Sequence, residues 1–364
     1  MASWLTETWY VAALSGELKA NEMLARTILN EQIVLFREAG EVRALFDRCP
    51  HRFAPLHLGR LENGVVTCGY HGLKFDGAGR CVHNPHGDGR VPDAAPLRSY
   101  PVREQQGFIW IWTGRNGTGP TGAPPRFEFL DTAVETATIE GYLPTAANYQ
   151  LMVDNIIDLS HADFLHPALL GTGGVVSAST PKIKTADNRV TCSWSWQDDQ
   201  AMGLFAPFLP DDGKKSDGWL VVEWEAPARM LISSGASATG AKGEGELVVN
   251  ATHLMTPQDD DNTHYFHRGA RSFLTDNVEF TAAAREAVRK AFAFEDAPMI
   301  EATHRNMQGQ DFWALKPWLL AGDGGAVRVR RLLDRMVQDE ASRKAGKAAP
   351  SAPSADREPL GRRS

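Results

Sequence analysis

Cysteine is scarce: Cys49, Cys68, Cys81 and Cys192 are the whole complement of a 364-residue chain, too few for a disulfide framework. Thiols free to bind metal are the expectation that follows. Basic charge is also short. The formal net charge is −7 and no basic stripe is interleaved with aromatics, which argues against a nucleic-acid partner. No apolar run reaches membrane-spanning length. The N-terminus holds Glu7 but neither a basic cluster nor an apolar run of signal-peptide length. A soluble cytoplasmic protein with no membrane or nucleic-acid partner is expected. Hydrophobic residues make up 43% of the chain, enough for buried cores, and the length favours two domains.

Up to residue 113 the pattern is short apolar runs at 33–37, 42–47, 65–68 and 108–112, broken by the turns Glu62-Asn63-Gly64 and Asp76-Gly77. This predicts a β-rich first domain over 1–113. Residues 114–126 are dense in glycine and proline and read as a linker. Gly117-x-Gly119-x-x-Gly122 within it matches a dinucleotide-binding pattern, but Pro120, Pro124 and Pro125 forbid the helix that such a phosphate site needs. A second domain is expected over 127–340, with helix over 148–165, strands over 189–196, 219–224, 246–255 and 263–270, and helix again over 275–306. That succession predicts an α+β domain with a long helix on an antiparallel sheet. Residues 341–364, rich in Ala, Pro, Ser, Lys and Arg, read as a disordered tail.

Two Cys/His pairs, Cys49-Pro50-His51 and Cys68-Gly69-Tyr70-His71, each follow a strand-like run and sit on a turn. A loop can aim two side chains at one centre, and two such loops can close on it. Zinc also accepts two thiolates and two imidazoles, so the ligand count alone leaves a closed zinc site open. Cys81 and Cys192 read as small buried residues.

A second cluster lies in Asp154-Asn155-Ile156-Ile157-Asp158-Leu159-Ser160-His161-Ala162-Asp163-Phe164-Leu165-His166. Asp158 and His161 share a face of a regular helix, whereas His161 and His166 diverge by roughly 140°. Both imidazoles reach one metal only if the helix ends or deforms between them, and Pro167 favours an ending. Two imidazoles with one carboxylate form a facial triad of the non-haem iron kind, which leaves coordination positions open. The carboxylate is Asp158 or comes from the 275–306 helix, whose buried face is marked by Val288, Phe292 and Met299. There Glu295 and Asp296 flank Phe292 at roughly −60° and +40°, and periodicity does not separate them.

The Cys-x-His and Cys-x-x-His pairs resemble the Rieske cluster motif, in which Cys49 and Cys68 would hold one iron and His51 and His71 the other. Together with Asp158-x-x-His161-x-x-x-x-His166 they resemble the oxygenase component of Rieske non-haem iron oxygenases. Trp9-Tyr10-Val11-Ala12, Ala54-Pro55-Leu56, Val153-Asp154-Asn155, Ala270-Arg271-Ser272-Phe273 and Phe294-Glu295-Asp296 match the vanillate O-demethylase and toluenesulfonate methyl-monooxygenase branch. The resemblance implies a [2Fe-2S] Rieske cluster in the first domain and a helix-grip catalytic domain with a mononuclear ferrous iron held by His161, His166 and Asp296. It implies a homotrimer in which Asp158 bridges His161 to His71 of the next subunit. Electrons would derive from NAD(P)H only indirectly, through a separate reductase or ferredoxin, since the chain has no flavin or nicotinamide motif. The implied reaction is dioxygen-dependent hydroxylation of a methyl or methoxy group on a small aromatic acid, with O-demethylation of a vanillate-like compound foremost. A ring-hydroxylating dioxygenase and a pure Rieske electron carrier are the alternatives, though a carrier has no use for the second cluster. By analogy His253, Ile232 and Ala287 contact substrate, while Arg268 and Arg271 are candidates to anchor a carboxylate. Dicamba-type relatives carry Asn and Trp at the positions matching Ile232 and Ala287, so the resemblance does not imply that substrate.

Overall fold

The computed structural model describes residues 4–91, 96–114, 119–241 and 243–348. In the first unit, strand Trp9–Leu14 pairs with Phe108–Trp112, which pairs with Val102–Gln105, so the two ends of the unit close on one sheet. Leu24–Ile28, Glu31–Glu38 and Glu41–Phe46 form a second sheet. Four short strands, running from Arg60–Glu62 to Cys81–His83, form a third. Asn63 and Gly64 both take positive φ (51° and 77°), the backbone that a two-residue hairpin between Arg60–Glu62 and Val65–Thr67 requires.

The second unit is one seven-stranded antiparallel sheet. Its order is Thr138–Thr145, Thr263–Arg271, Leu247–Pro257, Arg229–Ala238, Ser216–Glu225, Arg189–Asp199 and Lys182–Ala186. With the helices packed on it, this is the α+β arrangement expected. Side chains alternate across the sheet. Leu254 and Phe266 pack with Trp9, Val11, Trp110 and Trp112 of the first unit, and the Thr256 hydroxyl donates to the Val11 carbonyl at 2.7 Å. The opposite face, bearing His253 and His267, looks toward the helices.

Neither expected helix is continuous. Over 148–165 the chain forms an α-helix Tyr149–Ile157, a 3-10 turn Leu159–His161 and a short helix Ala162–Leu165. Asn148 caps the first through the Gln150 amide, an interaction worth about 1 kcal/mol against alanine. Asp158 is extended (φ −113°, ψ 93°) and caps the 3-10 turn through Ser160, so Asp158 and His161 do not share a regular helical face.

Over 275–306 an α-helix Val278–Lys290 passes into a π-helix Ala291–Asp296 and then into an α-helix Ala297–Met307. The wider π-turn shifts the phase of everything after it. Met299, expected on the buried face, is 56% exposed, while Asp296, Ala297 and Ile300 are buried.

The last helix, Gly324–Ala348, runs past the point where the composition predicts order to end. Composition weighs apolar residues, but this helix is tied down by a polar one: buried Glu340 accepts from the Thr6 amide at 3.0 Å and the Glu7 amide at 2.7 Å. The rest of the expected tail, 349–364, lies outside the described residues, as does Gly117 of the glycine pattern. Among the described residues of 119–126 there is no helix, and no described helix is long and apolar enough to cross a membrane.

Candidate metal centres

The two Cys/His loops are built alike. The Cys49 amide donates to the Ala54 carbonyl and the Phe53 amide to the Cys49 carbonyl; the Cys68 amide donates to the Leu73 carbonyl and the Gly72 amide to the Cys68 carbonyl. The fourth residue after each cysteine, Phe53 (φ 61°) and Gly72 (φ 74°), turns its loop through left-handed backbone. Cys49 and Cys68 are buried and free, and the His51 and His71 rings meet edge to face at 4.5 Å between centroids. Burial pushes the Cys49 thiol up to about 11, against the backbone amides of His51 and Arg52, and the facing Cys68 thiol adds to the rise. Amides aimed at a buried sulfur stabilise a thiolate once metal displaces the proton, so the donor set fits an iron–sulfur cluster. Cys192 is buried as expected, but Cys81 is only half-buried and its thiol lies 3.5 Å from the His83 carbonyl.

At the second cluster the broken helix and the π-turn meet. His161, His166 and Asp296 can each offer one ligand atom, all within 4.8 Å of one another. The Asp296 carboxylate stands 3.0 Å from His166 Nε2 and 3.5 Å from His161 Nε2. His161 Nδ1 donates to the Asp158 carbonyl at 2.7 Å, and His166 Nδ1 donates to Glu295 at 2.5 Å. With both Nδ1 atoms so engaged, both Nε2 atoms face the third ligand, which is the tautomer a metal needs. Burial raises the Asp296 carboxyl, but the two imidazoles facing it outweigh burial and hold the group down at about 2. Of the two neighbouring acids it is Asp296 whose carboxylate lies beside both Nε2 atoms, while Glu295 meets only His166 Nδ1. Asp158 meets His161 through its backbone carbonyl, while its carboxylate accepts from the Ser160 amide.

The chain matches the Rieske [2Fe-2S] domain family over residues 8–101 and the Vanillate O-demethylase oxygenase C-terminal domain family over residues 145–339. It is 36% identical to the dicamba O-demethylase oxygenase component of Stenotrophomonas maltophilia, over 93% of this chain and 100% of that one. It is 34% identical to the chloroacetanilide N-alkylformylase oxygenase component of Rhizorhabdus wittichii, over 92% of this chain and 96% of the other. The crystal structure of dicamba monooxygenase bound to dicamba superposes with a TM-score of 0.84 at 36% identity, covering 93% of this chain and 98% of that chain. The chain belongs to the Rieske non-haem iron oxygenases. It is an oxygenase component of the demethylase and monooxygenase type rather than a pure electron carrier.

The oxygenase's triad opens onto a cavity of about 410 Å³. Its walls are mostly apolar, and Ile232, Ala287 and His253 all line it. His253 Nδ1 pairs with the Tyr265 hydroxyl at 2.7 Å, leaving buried Nε2 without a partner among the described residues. Burial, helped by His267, holds His253 down at about 3, and burial alone holds His267 at about 4, so both rings are neutral at working pH. Arg268 points away and is ion-paired to Glu140 and Glu135. Arg271 lines the cavity, donating through Nη2 to the Leu274 carbonyl at 2.7 Å and the Thr281 hydroxyl at 2.8 Å.

Sequence reasoning gave no role to Asn155, His267 and Asp163, and weighed Glu295 only as the alternative carboxylate ligand. Asn155 donates to Asp296 at 3.0 Å; Glu295 holds His166; His267 joins His253 on the cavity wall. Asp163 accepts from Thr172 and the Ser177 amide and so fixes the loop that roofs the cavity. Asn155 stood inside a family-like stretch and carried a signal. Asp163 lay among the expected helical residues with nothing to mark its role.

Proposed function

We propose that Cys49, Cys68, His51 and His71 hold the Rieske cluster and that His161, His166 and Asp296 hold ferrous iron. In this reading the chain hydroxylates a methyl or methoxy group of a small aromatic acid, releasing phenol and formaldehyde in the methoxy case. The observation that carries it is a three-ligand site on one side of a largely apolar cavity. Iron held by two imidazoles and a carboxylate activates dioxygen and keeps positions open for it. The cavity exceeds the ~150 Å³ that suffices for a benzene ring, so a substituted ring fits with room to spare. The walls exclude water and His253 Nε2 orients the ring. Arg271 is 9% exposed, its Nε has no acceptor, and it has no carboxylate partner among the described residues. Buried cations are ordinarily paired, which supports an acidic group on the substrate. Four strand steps separate Arg271 from His267, or roughly 13 Å, so the acidic group would lie well away from the His253 and His267 pair.

Electrons would come from a separate reductase or ferredoxin, and the assembly would be a homotrimer. Large apolar side chains left exposed support this: Phe53 (67%) and Tyr70 (65%) in the Cys/His loops, Phe164 (79%) between His161 and His166, and Leu320 (75%), two residues before Gly322, which abuts the Asp158 carboxylate. Patches of this kind mark association surfaces.

Product analysis tests the reading: reductant, oxygen and reductase are supplied with methoxylated and methylated benzoates and sulfonates, alongside their uncharged esters. Formaldehyde or a benzylic alcohol is expected, with acids preferred over esters; a cis-diol would make the protein a ring dioxygenase. Two further results are expected. Protein purified anaerobically should contain about three irons and two inorganic sulfides per chain, as the two ligand sets require; stoichiometric zinc without sulfide would overturn both assignments. His253→Ala should raise KM roughly tenfold, the worth of one hydrogen bond, with both metal centres intact. Unchanged kinetics across the panel would leave His253 a structural residue.

A further inference from the structure

The π-turn engages two consecutive acids on one imidazole. In a regular helix, neighbours diverge by about 100° and cannot serve the same small target. Here Asp296 lies 3.0 Å from His166 Nε2 while Glu295 lies 2.5 Å from His166 Nδ1. The His166 side chain is wholly enclosed, so both ring nitrogens are committed. His161 is treated differently, because its Nδ1 donates to a neutral backbone carbonyl. One imidazole of the triad is thus backed by an anion and the other by a dipole. No other hydrogen bond or ion pair of Glu295 is found among the described residues.

We infer that Glu295 is a positioning residue that acts through His166 on the mononuclear iron, strengthening this imidazole as a donor and favouring the ferric over the ferrous state. The inference rests on His161, His166 and Asp296 being the iron site. A carboxylate accepting from Nδ1–H shifts electron density toward Nε2 and locks the ring's rotation, and outer partners of this kind are worth about 10- to 100-fold in metal affinity. The competing explanation is a half-exposed ion pair of little consequence, since the Glu295 side chain is 42% accessible. Such a pair would leave the electronic state of the iron untouched.

The test uses the full chain with its cluster in place, comparing Glu295→Gln, Glu295→Ala and wild type. Cluster absorption reports folding. The readouts are iron retained against a chelator, the midpoint potential of the mononuclear iron, and the EPR signal of its ferrous nitrosyl adduct. Glu295→Gln keeps an acceptor for Nδ1 and should retain iron, with a more positive potential and an altered nitrosyl signal. Glu295→Ala should bind iron about 10- to 100-fold more weakly. Wild-type affinity, potential and nitrosyl signal in both variants would overturn the inference. Iron fully retained in His161→Ala would instead overturn the site assignment beneath it.

Discussion

His161→Ala, His166→Ala and Asp296→Ala should each lose the mononuclear iron and all oxygenation while keeping the visible absorption of the cluster. The two ligand sets sit on different units: the cluster loops on the short-stranded sheets of the first, the triad on a broken helix and a π-turn of the second. The three ligand atoms are the only group of their kind within 4.8 Å among the described residues, so removing one leaves no substitute nearby. Asp296 also carries the negative charge that both Nε2 atoms face, and Asp296→Ala removes it. Metal analysis by atomic emission alongside the absorption spectrum decides the matter. If Glu295→Ala empties the site and Asp296→Ala does not, the two acids have exchanged roles.

Asp158→Asn should leave cluster reduction and iron content near normal and yet cut single-turnover product by about 10- to 100-fold. The contact to His161 runs through the Asp158 backbone carbonyl, which the substitution does not alter. The amide oxygen can still accept from the Ser160 amide and keep the 3-10 turn capped. What disappears is the negative charge at the outer edge of the site, where we propose that His71 of a neighbouring subunit docks. Reducing the cluster anaerobically and then admitting oxygen and substrate measures the transfer step alone. A wild-type yield would make Asp158 a capping residue and nothing more. Mixing Cys49→Ala chains with His161→Ala chains supplies an independent check, since transfer between subunits restores activity in some mixed trimers and transfer within one chain restores none.

Much of the site was legible before the fold was known, and the reason is chemical. Cysteine and histidine at short fixed spacings have few purposes, so the pairs at Cys49 and Cys68 and the cluster around His161 stand out against any background. The expectation that a helix must fail between His161 and His166 also held, because 140° of divergence is a geometric statement about any regular helix. Strand Arg229–Ala238 was missed: its segment Ser233-Ser234-Gly235-Ala236 has neither the bulk nor the alternation that marks a strand, and cross-strand neighbours hold it in place. The π-turn was out of reach for a related reason. Every periodicity argument assumes a constant step, so Met299 was placed inside and Glu295 could not be told from Asp296, whereas the actual step changes at Ala291. The resemblance pointed to Asp296, which the geometry places beside both imidazoles, and only the geometry gives Glu295 a task.

The widened turn also divides the long helical run into two stretches that answer to different demands. Before it, Ala283, Ala284 and Ala287 of Val278–Lys290 form cavity wall; after it, Ala297 and Ile300 pack into the protein. A straight helix would tie the orientation of these stretches together, so any shift that reshaped the wall would rotate Asp296 as well. The extra residue works as a coupling joint between them. Substitutions that enlarge or shrink the alanine wall can therefore accumulate without disturbing Asp296, and deletion of a single residue between Ala291 and Asp296 would leave a sound helix whose carboxylate faces the wrong way. Substrate range in this scaffold is free to drift on one side of the joint while the chemistry stays fixed on the other.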